Sequence, residues 1–296
     1  MFATHLGEIA ALGTAFCWTA TAMSFEAAGK RVGSLSVNLI RLWIGFAFLC
    51  LFCWYHRGLI LPIDADTHNW IYLALSVLIG FLIGDLLLFK AFVVVGSRVS
   101  MLVMASGPPL TAILGWLIMG EALQANHYPG MALTVTGIIL VVMERGNNHK
   151  ARKHPLSGVL LAFGGAFGQA LGLVLSKYGM RDYSPFAATQ IRIIAGIIGF
   201  SILFTLLKRW PRILLAVHNT RAMTLITTGS FFGPFLGVSL SLMAVKFTET
   251  GVACTIMSIV PVLIIPPAVL LYHEKVTLKE VIGALLSVTG VSVMFL

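Results

Sequence analysis

The chain has 296 residues and a mean hydropathy of +0.94; 58% of its residues are hydrophobic and only 10% are charged, where a soluble domain carries about 25% charged residues. Its net charge of +9 would suggest nucleic acid in a soluble protein, but here Lys and Arg stand in short breaks between apolar runs and report topology instead. Composition thus excludes an ordinary soluble domain and makes the bilayer, about 20 residues per helix, the relevant ruler.

The opening Met1-Phe-Ala-Thr-His5 lacks a basic n-region, and the apolar run after it is too long for a secretory signal. It reads as a retained first span. Further apolar runs follow, so that the spans fall near 6–28, 35–55, 69–92, 98–119 and 127–144. A polar, basic stretch from Glu144 to Pro155 marks the midpoint, and five more spans follow near 156–178, 186–207, 221–244, 251–272 and 276–296. This predicts an all-α integral membrane protein of ten transmembrane helices. Cys17, Cys50, Cys53 and Cys254 all lie inside apolar runs and read as small packing residues.

The two halves repeat. Gly7, Ala11, Arg41 and Gly45 fall 151 residues before Gly158, Ala162, Arg192 and Gly196. After the loop that follows the second span the spacing becomes 153, and Gly80, Gly84, Met104, Pro108, Glu121 and Gly137 fall on Gly233, Gly237, Met257, Pro261, Glu274 and Gly290. Glycines, a proline and loop acids do not coincide through shared hydrophobicity. Each half holds five spans, and an odd number makes the second half enter the membrane from the opposite side, which predicts two inverted five-helix repeats. For orientation, thirteen loop Lys and Arg residues, from Lys30 and Arg31 to Lys275 and Lys279, lie on one side, against Arg57, Lys177, Arg181 and Lys246 on the other. The richer side is expected in the cytoplasm and both termini outside.

Ionisable groups inside spans cost several kcal/mol unless paired or hydrated, so they are the first functional candidates. They are Arg41, Asp85, Lys90 and Arg192, with Glu8 and Glu26 nearer span ends. Arg41 and Asp85 fall in the cytoplasmic half and are expected to pair or to share a hydrated vestibule with Lys90. Asp85 could accept a coupling proton and Arg41 could meet an anionic group; a buried ion pair that only fixes packing is the alternative. Arg192 echoes Arg41 from the outer side, either drawing anions into the mouth of a cavity or snorkelling to the interface. Asn38, Gln169 and Gln190 suit interhelical hydrogen bonds as well as solute contact, and Trp18 suits packing or an aromatic pocket. Pro108 and Pro261, near the centres of equivalent spans, are expected to kink them at the depth where carriers bind substrate.

No His pair stands at i, i+4 on one helix face, and no phosphate-cradling glycine loop ends in Lys-Ser/Thr. Neither a catalytic residue, a metal set nor a cofactor is predicted. An intramembrane enzyme would need a dyad or metal cluster at membrane depth; a scaffold without transport would need no continuous polar lining.

Several motifs in both halves resemble the drug/metabolite transporter superfamily, in its ten-span form with two EamA domains, here 5–144 and 155–296. They are Val37-Asn-Leu-Ile-Arg41, Gly84-Asp-Leu-Leu-Leu-Phe-Lys90, Met104-Ala-Ser-Gly-Pro-Pro109 with Gly120-Glu121, and the echoes Met257-Ser-Ile-Val-Pro261 and His273-Glu274. The resemblance implies a multi-pass carrier in a bacterial inner membrane that moves a small organic solute, often outward. It also implies cytoplasmic termini, against the charge count. The expected partners are a small-molecule solute and the lipid bilayer, with no nucleic acid; a homodimer stays open.

Overall fold

The structure, a computed structural model, describes residues 5–84, 86–88, 90, 91, 94, 103, 104, 106–125, 127–144, 156–263, 266, 267 and 277–294. Among these residues the regular elements are helices. The first half runs α1 (Leu6–Val32), α2 (Ser34–Arg57), α3 (Thr67–Val77), a π-helical turn π1 (Leu78–Gly84), α4 (Gly107–Met119) and α5 (His127–Glu144). The second runs α6 (Leu156–Met180), α7 (Pro185–Leu206), the short α8 (Trp210–Val217), α9 (Thr220–Ser230), π2 (Phe231–Gly237), α10 (Val238–Phe247), α11 (Thr250–Met257), α12 (Val260–Leu263) and α13 (Leu278–Met294).

Local chemistry sets the ends of these helices. A single residue, Gly33, joins α1 to α2; its φ of 83° belongs to the region that a Cβ disfavours, and its N–H closes α1 onto Gly29 O at 2.9 Å. At the start of α3, Asp66 accepts the Asn69 N–H at 2.7 Å while the Asn69 side chain accepts the Asp66 N–H at 3.2 Å, a reciprocal cap for two otherwise unpaired donors.

Among the described residues five helices are long and apolar enough to cross a membrane: Leu35–Arg57, Thr67–Leu88, Leu156–Met180, Pro185–Leu206 and Thr220–Phe247. Gly107–Met119 and Val281–Val293 are shorter apolar helices. The fourth and ninth expected spans are interrupted: α4 begins only after the turn at Ser106, and the ninth breaks at Ser258 between α11 and α12. Large apolar side chains such as Trp43, Leu51, Leu117, Ile198 and Leu285 stand exposed on outward faces, where lipid solvates them as well as protein does.

The halves exchange under a twofold operation that can be read residue by residue. In α5 and α13, Thr134 Oγ1 donates to Ser287 O at 3.4 Å and Ser287 Oγ donates to Thr134 O at 3.4 Å, and the two residues are 153 apart. Gly137 packs on Gly283 and Ser287, while Gly290 packs on Gly130 and Thr134. Later residues of one helix meet earlier ones of the other, so the equivalent helices run antiparallel. The same holds for α2 and α7, where Gly45 faces Ile193 and Gly196 faces Leu42. Equivalent helices that pack antiparallel across a twofold axis are inverted repeats. Around them α3 and π1 pack on α6 just as α9 and π2 pack on α1. The two π turns occupy matching positions, since Leu78–Gly84 shifted by 153 is Phe231–Gly237.

Candidate functional site

A cavity of about 310 Å³ lies on this axis. Its wall is made of repeat mates: Trp18 with Gln169, Thr21 with Gly172, Arg41 with Arg192, Leu42 with Ile193, Gly80 with Gly233, Phe81 with Pro234 and Met104 with Met257. Thr111, Ser241, Cys254 and Ser258 add polar or polarisable atoms to a wall that is otherwise mostly apolar. Both π turns and both span breaks therefore face the cavity. A π turn opens the i→i−4 ladder and leaves carbonyls for other partners, which membrane helices tolerate only where protein or water covers them. At the breaks, Ser258 Oγ donates to Cys254 O at 2.7 Å and Ser106 Oγ to Val103 O at 2.7 Å, each occupying a carbonyl at the end of a helical turn.

Glycine lets the helices that carry this wall approach closely. A side chain on Gly172 would lie 2.8 Å from Ser76 O, and one on Gly233 would lie 2.8 Å from the Thr21 methyl. These contacts hold α6 against α3 and α1 against π2, and so fix where Trp18 and Gln169 point.

Of the residues singled out in the sequence, the structure brings Arg41, Arg192, Trp18 and Gln169 to the cavity wall. Arg192 does not snorkel: it is 4% exposed, with its guanidinium 4.7 Å from the Phe81 ring centroid. Its Nε has no hydrogen-bond partner among the described residues. Arg41 lies 5.5 Å from the Phe25 ring centroid. Asn38 is buried but is not part of the wall. Gln190 is buried too, yet its amide donates to Ile60 O at 2.6 Å and ties α7 to the α2–α3 loop. Lys90 is exposed and away from the cavity. Pro108 and Pro261 are the second residues of α4 and α12, in first turns that need no proline N–H, so the chain breaks before them and resumes. Asp85, with its expected pairing to Arg41, lies outside the described residues.

One group escaped the sequence reading. Glu121 Oε2 accepts from the Thr250 N–H at 2.8 Å and its hydroxyl at 2.5 Å; Lys177 Nζ pairs with Glu121 Oε1 at 2.5 Å and donates to Thr248 O at 2.7 Å. This cluster fastens α4, α6 and α11 together at one end of the cavity. At the same end Asn69 Nδ2 donates to Gly179 O at 2.7 Å, and Gly7 packs on Thr248. Glu121 and Lys177 are distant in sequence and are not repeat mates, so neither spacing nor offset pairs them.

The family model described as the EamA-like transporter family matches the chain twice, over residues 5–143 and 156–296. No curated protein matches it. One solved structure, described only as "Crystal structure of protein", has a similar fold at a TM-score of 0.79 and 16% sequence identity, over 97% of this chain and 95% of the other.

Proposed function

The chain belongs to the EamA-like transporter family, a family of multi-pass membrane transporters of the drug/metabolite type, and from that premise we propose a secondary carrier that exports a small organic solute by alternating access. The observation that carries the proposal is the cavity on the twofold axis, walled by repeat mates. When two inverted halves share one site, exchanging their conformations exposes that site to the opposite side without moving it. The π turns and span breaks supply the pliable backbone for such an exchange. Arg41 and Gln169 on the wall favour a carrier over a scaffold, which needs no polar lining.

The end fastened by Glu121 and Lys177 is the outer end by the charge count, so this conformation is assigned as closed to the outside. The proposed membrane is the bacterial inner membrane. Coupling is assigned to Asp85, whose repeat mate is Val238; an unmatched acid makes proton uptake a property of one half. The test is solute flux into proteoliposomes, with and without a proton or sodium gradient, over amino acids, nucleosides and amphipathic ions. Gradient-driven accumulation supports the carrier. Failure of every solute to move overturns it, and unaltered pH-driven flux in Asp85→Asn overturns the coupling role.

A further inference from the structure

The geometry points to an organic anion as the solute: a carboxylate or phosphate monoester on an apolar body, its head held by Arg192 and Arg41 in turn. This deepens the carrier reading and rests on it. Arg192 is nine-tenths buried or more, lines the cavity, and has its Nε unpartnered among the described residues. Among the described residues its guanidinium meets the Phe81 ring at 4.7 Å and no carboxylate. A ring quadrupole offsets only part of what burying a cation costs. A ligand oxyanion would make up the difference with two charge-assisted hydrogen bonds from one planar fork.

The second cation strengthens the case. Arg41 lines the same cavity. Its guanidinium gives an anion in this low-dielectric space a second planar donor fork. The rest of the wall, with Leu42, Phe81, Ile193, Met104 and Met257, suits an apolar or aromatic body.

The twofold packing also sets where the two arginines stand. Gly45 faces Ile193 and Leu42 faces Gly196, so Arg41 lies level with Ile197, five residues beyond Arg192 along α7. At a rise of about 1.5 Å per residue the two levels differ by roughly 7 to 8 Å along the helices. One arginine stands toward each end of the cavity. An anionic head can therefore pass from one to the other as access changes sides, while the apolar body stays among the shared side chains.

The test uses the full chain and four probes: 3-phenylpropionate, phenyl phosphate, the neutral 3-phenylpropionamide and the cationic 3-phenylpropylamine. Binding is read as a thermal shift in detergent and movement as counterflow in proteoliposomes. The two anions should bind at least about tenfold more tightly than the amide or the amine, the loss expected when a charge-assisted hydrogen bond goes. Arg192→Gln should remove that preference and Arg192→Lys should keep part of it, since a point charge remains. Arg41→Gln, read in the same way, replaces Arg192→Gln should that variant not fold. Amide or amine binding as tight as the anions, no anion binding, or a preference that survives both Gln variants overturns the inference. Anion binding without counterflow leaves the site standing and overturns the carrier; counterflow of amine or amide alone does the reverse.

Discussion

Tyr183, on the turn between α6 and α7, donates to Asp64 at 2.8 Å, and Arg57 pairs with the same carboxylate while lying 5.1 Å from the Tyr183 ring centroid. Burial, followed by the hydrogen bond to Asp64, pushes the phenol up to about 12. Burial opposes the Asp64 charge, but the phenol, the residue's own backbone N–H and Arg57 outweigh it and hold the carboxyl below its usual range. A phenol with a raised folded pKa stabilises fully below its unfolded value of about 10, and that contribution is lost as pH rises through the folded value. A carboxylate with a lowered pKa stabilises above its unfolded value of about 4 and loses the contribution as pH falls through the depressed one. The tie is therefore at full strength from about pH 5 to 9. Melting in detergent should show Tyr183→Phe less stable than the native chain over that range, with the gap closing between about pH 10 and 12. A gap that stays constant into strong alkali would show that the phenol proton contributes nothing. At this scale the wall was partly legible: arginines, Trp18 and Gln169 are costly among apolar neighbours. Gln190 carries the same signal yet serves the Ile60 carbonyl, because helix rotation decides where a polar group points and all-round apolar helices do not encode it.

At the scale of elements, the π turns were not legible. Proline is the usual suspect in an irregular membrane helix, and π2 contains Pro234. But π1, at the matching position, has Phe81 there and forms the same seven-residue turn, so proline is not the cause. Pro234→Ala should accordingly keep the helix content by circular dichroism and lower the melting temperature by no more than about 4 °C, the equivalent of about 1 kcal/mol in a chain of this size. It also keeps the Cβ that packs against Gly45. A large loss of helix would return the cause to proline. Gly137 is the opposite case: it has no room for any side chain against the Gly283 carbonyl and Ser287. Gly137→Leu should push α5 off α13 and reduce the yield of folded protein in size-exclusion chromatography, while normal yield would mean that the two helices can separate freely. The change of repeat spacing from 151 to 153 also finds its place here. The first half crosses from α2 to α3 by a loop, and the second inserts α8, whose Trp210, Leu214 and Leu215 are exposed beside Arg209 and Arg212. An amphipathic helix flanked by arginines suits the headgroup layer.

For the whole molecule the repeat offsets carried the architecture, since glycines and prolines at constant spacing record packing that hydropathy alone does not. What they could not supply is which end the proposed carrier holds shut, because a symmetric pattern is compatible with closure at either side and only unmatched residues break the tie. Lys177 is such a residue: its repeat mate is Glu26. Its ion pair with Glu121 belongs to one end alone, and Glu121 in turn holds the first N–H of α11. Removing the ammonium in Lys177→Met leaves a mostly buried carboxylate without its counter-ion, which in the proposed carrier destabilises the closed end and shifts the population toward outward access. Cys254 lines the cavity and supplies a native reporter. With Cys17, Cys50 and Cys53 replaced by Ala, a membrane-impermeant methanethiosulfonate added outside should modify Cys254 slowly in the otherwise native chain and several-fold faster in Lys177→Met. Added from the cytoplasmic side of inverted vesicles, it should react with the otherwise native chain readily and with Lys177→Met more slowly, because a two-state carrier that opens on one side closes on the other. Faster modification from both sides would mean that the variant leaks and that Lys177 only holds the bundle together. Equal rates in the two proteins, from either side, would mean that the Glu121 cluster is not the gate.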